Sequence, residues 1–172
     1  MYRGTAAACD NPHVDNESLV AFLRSQNWAV EATVSAEVQP QAAVIGYAVT
    51  DQLELVFDTL ATSRKAANLR ANPRVALVIG GWHAGSEQTL QYEGMADFPT
   101  GTELVRLKEA YFKAFPDGPS RESWADITYV RVRPRWLRFS DYEVDPPRIV
   151  ERRFPEHGVL RGPSASKQTE PR

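Results

Sequence analysis

Cysteine occurs once in the 172 residues, at Cys9, and histidine only three times. A lone cysteine excludes an internal disulfide, so the fold must rest on its own apolar core. His13, His83 and His157 stand far apart, and without a second cysteine they offer no spacing suited to a metal such as zinc. Net charge is also scarce: 20 Lys and Arg against 22 Asp and Glu leave a formal −2. That balance gives no general attraction to nucleic acid or to an anionic membrane, so affinity for an anion has to be local. No apolar run is long enough to cross a bilayer. The first ten residues lack the apolar segment of a secretory leader. These absences set the expectation of a cytoplasmic protein with neither nucleic-acid nor membrane partners. No Ser–His–acid or Cys–His arrangement stands out, and Gly80-Gly81 lacks a Walker or dinucleotide context, so no catalytic residue is named.

What is present is enough chain for one domain with a real core. Residues 1–15 read as a loose arm, 16–145 as the folded domain and 146–172 as a tail rich in proline and charge. From about residue 157 its composition is that of a disordered tail or an arm that orders on a partner. Residues 17–26 carry Leu19, Val20, Phe22 and Leu23 in a helix-sized stripe that Asn16 is placed to cap. Val30, Ala32 and Val34 alternate on one face of a strand over 28–35. Residues 41–49, apolar on both faces, read as one central strand in which Gly46 marks a bulge or a close approach. Further strands are expected over 53–58, 75–79, 89–97, 127–132 and 136–142, the last two separated by Pro134. The clearest helix follows Thr100, which has capping-box spacing to Glu103, and carries Leu104, Leu107, Tyr111, Phe112 and Phe115. Short connections make neighbouring strands antiparallel, and a small closed or split barrel with peripheral helices removes exposed edges most economically.

The most informative stretch is Thr59-Leu-Ala-Thr-Ser63-Arg64-Lys65, followed by Ala-Ala-Asn-Leu-Arg-Ala-Asn-Pro73. It lies between two strands, and Pro73 ends a short helix that opens at Ser63. Two cations then fall in the first turn, where the helix end already carries partial positive charge. Free amides, a hydroxyl, a guanidinium and an ammonium converging on one point suit a phosphate. The bland alternative is a solvated basic pair. Trp82, Trp124 and Trp136 are read as core or interface residues ahead of ring-stacking partners. Arg131, Arg133, Arg135 and Arg138 are read as mostly solvated, with room for one to reach an anionic ligand.

The run Phe57-Asp58-Thr59 through Ser63-Arg64-Lys65 to Asn72-Pro73-Arg74-Val75 resembles the signature of the pyridoxamine 5'-phosphate oxidase-like family. The looser resemblance extends from the first helix to the strand ending near Tyr142. It implies a mainly β fold, a six-stranded antiparallel split β-barrel of Greek-key type with peripheral α-helices. It implies a homodimer with FMN at the subunit interface and a small-molecule substrate. Arg64 and Lys65 would bind the FMN phosphate with Ser63 beside them, and Thr59 would touch the ribityl or phosphate region. For Asp58 a capping or turn role competes with a flavin contact. Ala42, Ala43 and Val44 would line the isoalloxazine through backbone groups, and Gln88 or Thr89 would meet the flavin. Two departures argue against pyridoxamine phosphate as substrate. Gln41-Ala42-Ala43 stands where those oxidases have an arginine, and Trp136-Leu-Arg138 matches their C-terminal substrate segment poorly. The resulting expectation is an FMN-dependent oxidoreductase. The alternatives are a flavin or haem module without turnover, a deazaflavin-dependent reductase and a plain interaction domain.

Overall fold

The computed structural model describes residues 14–81 and 86–155. Cys9, the three histidines, Trp82, the start of the N-terminal arm and the tail beyond residue 155 lie outside them. Helix α1 (Asn16–Gln26) buries Leu19, Val20, Phe22 and Leu23, the expected stripe. Its cap is Asp15 rather than Asn16: the Asp15 carboxylate accepts from the Ser18 amide at 2.6 Å. Asn16 instead donates from its side chain to the Asp51 carbonyl.

Eight strands form one antiparallel sheet: β1 (Trp28–Val34), β2 (Pro40–Gly46), β3 (Ala48–Val49), β4 (Leu55–Leu60), β5 (Arg74–Gly80), β6 (Gln88–Asp97), β7 (Ile127–Asp141) and β8 (Arg148–Arg153). The order is β2-β1-β5-β6-β7-β4-β3, with β8 added to β7. Long strands β1, β2, β4, β5, β6 and β7 make the six expected staves of a curled half-barrel, and β3 and β8 are short additions. Between the strands lie α2 (Arg64–Ala71), α3 (Gly101–Ala114) and the single turn α4 (Gly118–Arg121). The barrel interior holds Leu53, Leu55, Phe57, Leu77, Ile79, Leu90, Tyr92, Val130, Val132 and Leu137, with α1 closing one side. A smaller cluster of Val56, Leu107, Tyr111 and Tyr129 lies under α3.

Several local expectations change. The 41–49 run is not one central strand: β2 is the sheet's edge, and β3 pairs with β4 at the other end of the strand order. The chain turns at Tyr47, whose hydroxyl is fixed to the Leu23 carbonyl at 2.8 Å. Gly46 does mark a close approach, because a Cβ there would lie 2.9 Å from the Phe115 ring. On β1, Val30, Ala32 and Val34 do share one face, and it is the outward one; the buried face is Ala29, Glu31 and Thr33. β7 runs unbroken through Pro134, which sits where the β6–β7 register slips between Glu93 and Gly94; the irregularity spares the sheet a missing N–H. Thr100 precedes α3 without a side-chain cap bond, since Glu103 turns to Arg106 and Arg131 instead. Residues 148–153 of the tail form β8, tied to β7 along six registered pairs.

Arg131 is not solvated. Its guanidinium spans Asp97 in two bonds of 2.9 and 2.7 Å and reaches Glu103 at 2.8 Å and Glu54 at 3.4 Å. Arg106 joins from α3, 2.7 Å from Glu54. This closed charge network locks α3 to the sheet.

Candidate functional site

Helix α2 bridges β4 and β5, as the Ser63-to-Pro73 spacing predicts. Ser63 is its N-cap, with φ −68° and ψ 152° and Oγ accepting from the Ala66 amide. Thr59 Oγ1 lies 3.1 Å from Ser63 Oγ, a hydrogen bond in which either hydroxyl can donate, so the two fix each other. The first turn contains no acidic residue. Arg64 is exposed and makes no ion pair or hydrogen bond among the described residues. With no carboxylate in the turn, the Arg64 charge adds to the positive end of the helix and has no counter-charge among the described residues.

Lys65 points the other way, toward the barrel mouth. Its ammonium lies 5.9 Å from the centre of the buried Phe57 ring and 3.5 Å from Glu31 Oε2. Glu31 is 1% exposed, and both carboxylate oxygens lack a hydrogen-bond partner. Burial pushes the Glu31 carboxyl above the usual carboxylate range, and the neighbouring Lys65 charge offsets this only in part. One turn along α2, Asn68 donates to Thr33 Oγ1 at 2.9 Å and to Gln41 Oε1 at 3.0 Å. The helix is therefore seated on β1 and β2 by polar contacts, with Leu69 buried beneath it.

The predicted ring-lining residues lie next to this seat. Ala43 is the cross-strand partner of Glu31, Ala42 of Ala32 and Val44 of Val30. Among the described residues β2 pairs on one side only, which leaves the backbone groups of its outer edge open to a ligand. Asp58 faces elsewhere: Tyr111 Oη donates to it at 2.9 Å and Arg121 Nε at 2.7 Å, binding β4 to α3 and α4. Burial and the Asp58 charge push the Tyr111 phenol up. Gln88 opens β6 opposite Asp141. It lies four residues beyond Tyr92, the row that leads through Leu77 to Glu31, or ~13 Å along the sheet at the usual strand rise. The chain thus gathers Thr59, Ser63, Arg64 and Lys65 at the start of α2, beside the 42–44 segment across Glu31, and leaves Asp58 and Gln88 outside that group. Glu31 is the residue the sequence reading missed.

The outward faces of β1, β2 and β5 are apolar. Val44, Val30 and Val78 form one cross-strand row, and Ala42, Ala32 and Ala76 the next. Trp28, Val44 and Val78 are 54%, 64% and 45% exposed. Two larger clefts, of about 760 and 950 Å³, lie between α1 and α3 and around the far ends of β1 and β6; Ser63, Arg64 and Lys65 line neither. The α2 turn is an open ledge beside an exposed apolar sheet face. Among the described residues no group of acidic, histidine and cysteine side chains is arranged to hold a metal, and no helix is long and apolar enough to cross a membrane.

The family profile described as Pyridoxamine 5'-phosphate oxidase matches residues 16–141. A pyridoxine/pyridoxamine 5'-phosphate oxidase of Bordetella avium is 31% identical over 141 residues, covering 77% of this chain and 64% of the relative. The chain thus spans under two thirds of that relative's length. Among solved structures, a haem-binding protein from Mycobacterium smegmatis superposes with a TM-score of 0.70 at 19% identity, covering 83% of this chain and 59% of the other. A conserved hypothetical protein from Mycobacterium tuberculosis superposes with a TM-score of 0.64 at 25% identity, covering 80% and 91%.

Proposed function

The chain belongs to the pyridoxamine 5'-phosphate oxidase family, and from that premise we propose that it binds FMN and is an oxidoreductase acting on a small molecule other than pyridoxamine phosphate. The observation that carries the reading is the first turn of α2: a serine cap, an exposed arginine with no partner among the described residues, a half-buried lysine and no acid. That donor set fits a phosphate monoester, since a guanidinium and helix-start amides are the usual ligands of a phosphate dianion. Bound FMN would supply the redox chemistry through its isoalloxazine. The chain's part is to fix the phosphate with Arg64, Lys65 and Ser63, and to offer the open edge of β2 at Ala42, Ala43 and Val44 to the ring.

The ledge has one wall. A second copy, docked on the apolar face of β1, β2 and β5, supplies the other, and we read the active unit as a homodimer with the cofactor at its interface. Gln88, remote from α2 within one chain, joins the site from the partner in this arrangement. The substrate reading follows from the departures. Residues 41–43 carry no arginine, and Trp136 and Arg138 are engaged with Glu151 of β8. A second reading is flavin or haem binding without turnover, supported by the likeness to the M. smegmatis haem-binding protein; a deazaflavin would use the same phosphate ledge.

The test is FMN binding by Arg64→Ala against wild type, followed by fluorescence quenching. The lost charge-assisted contact is worth about 1.5–3 kcal/mol. Wild-type affinity in the variant would remove the phosphate assignment. The absorption spectrum of freshly purified protein separates flavin, deazaflavin and haem, and anaerobic reduction by NADH or NADPH followed by oxygen separates turnover from storage.

A further inference from the structure

A buried carboxylate with no hydrogen-bond donor is costly, and its position directly under a proposed phosphate ligand makes Glu31 the feature of this molecule most in need of a role. Lys65 Nζ is 3.5 Å from Oε2, an ion contact without hydrogen-bond geometry. The neighbouring polar groups are committed to one another: Asn68 spends its amide on Thr33 and Gln41. Thr33, Asn68 and Gln41 are neutral, and Phe57 presents only its ring. The other cations of α2 stand on its exposed side, with Arg70 turned to the Ala61 carbonyl and the Phe98 ring. Lys65 is thus the charge that acts on Glu31, from a side chain that is 20% exposed and reaches the surface at the first turn of the helix.

We propose that Glu31 is a positioning residue that sets how much of the Lys65 charge is available to a phosphate ester, so that a phosphate at the start of α2 and a proton on Glu31 bind together. This rests on the cofactor reading above and adds its regulation. With Glu31 ionised, the ammonium is already neutralised, and an incoming dianion meets a second negative charge behind it. With Glu31 protonated, Lys65 faces the phosphate with its full charge. Linkage makes the effect reciprocal: a bound phosphate favours proton uptake at Glu31 by the same factor that the proton favours the phosphate. The phosphate's own second ionisation, near pH 6, acts with the opposite sign and is common to every variant compared.

The experiment titrates wild type and Glu31→Gln with FMN and with riboflavin, which lacks the phosphate, from about pH 5 to 9. The expected result is similar FMN affinity for the two proteins at the acid end, and at the alkaline end binding about tenfold or more tighter in E31Q, as an opposite-charge contact of this kind predicts. Riboflavin affinity should show no such divergence, and the E31Q effect should vanish in a Lys65→Met background. Should E31Q fold poorly, proton uptake by wild type on binding FMN, measured in buffers of different ionisation enthalpy, reads the same coupling; uptake no greater than with riboflavin contradicts it. A ratio of affinities constant across pH, or weaker FMN binding by E31Q throughout, overturns this inference and leaves the cofactor reading standing. Folded wild type and E31Q that both fail to bind FMN overturn the two together.

Discussion

The charge clusters around Arg131 and around Lys65 are built differently. Around Arg131 every carboxylate is met: Asp97 is spanned by two guanidinium bonds, and Glu54 and Glu103 are shared with Arg106. Around Lys65 the count does not close. Glu31 has one ion contact and no hydrogen bond, and Arg64 beside it has no partner among the described residues. The first cluster ties α3 to β6, β7 and the residue that leads into β4, each carboxylate meeting a guanidinium. The second holds a surplus of cation on its outer side and an unsatisfied anion on its inner side. Completeness marks the structural cluster, and incompleteness at a helix start points to a ligand.

The contrast can be broken most severely at Arg131. Arg131→Met removes the cation that Asp97, Glu54 and Glu103 share, leaving Asp97 to Arg133 and Glu54 to Arg106, and should cost roughly 3 kcal/mol in urea unfolding, the low end for breaking a buried pair. It should leave FMN affinity per folded molecule unchanged. Arg64→Ala inverts the pattern: about 1.5–3 kcal/mol of FMN binding is lost, while the urea midpoint stays within the small range of surface substitutions. Glu31→Gln sharpens the comparison through its sign. Because burial raises the Glu31 carboxyl, its contribution to stability is fully present below the ordinary glutamate pKa and is lost as pH rises through the folded value. The variant should therefore be more stable than wild type at pH 8, on the order of 1 kcal/mol, with the difference closing toward pH 4. Glu103 has the reverse sign. Its bonds to Arg106 and Arg131 hold it below the ordinary range, so its exposed share of stability fades on acidification. Smallest is Ser63→Ala, which removes the α2 cap and should cost about 1 kcal/mol in both unfolding and FMN binding. On the apolar face, Val44→Glu with Val78→Glu should yield monomers in sedimentation and weaken FMN binding alongside.

Much of this architecture was legible in the sequence because local signals agreed with one another. α2 combined a serine cap, a proline stop and flanking strands, and it formed where expected. The barrel class followed from short connections between apolar runs. Where the reading went wrong, a pattern had two physical meanings. Val30, Ala32 and Val34 share one face of β1, as their alternation predicts, but that apolar face points outward and Glu31 points in. An apolar outer face has the same period as a core face, and only pairing partners separate them. The 41–49 run was split for a related reason: being apolar on both faces suits an edge that awaits a partner as well as a buried strand. Pro134 misled because a strand can carry proline at a register slip. Arg131, Asp97 and Glu54 are far apart in sequence, and nothing local announces that they meet.

The central claim, that the start of α2 is a phosphate site, is tested most directly by the ratio of riboflavin to FMN dissociation constants in wild type and in Arg64→Ala. The account predicts that wild type binds FMN far more tightly than riboflavin and that the variant loses most of this preference while its riboflavin affinity stays put. Equal affinity of wild-type protein for the two flavins would contradict it.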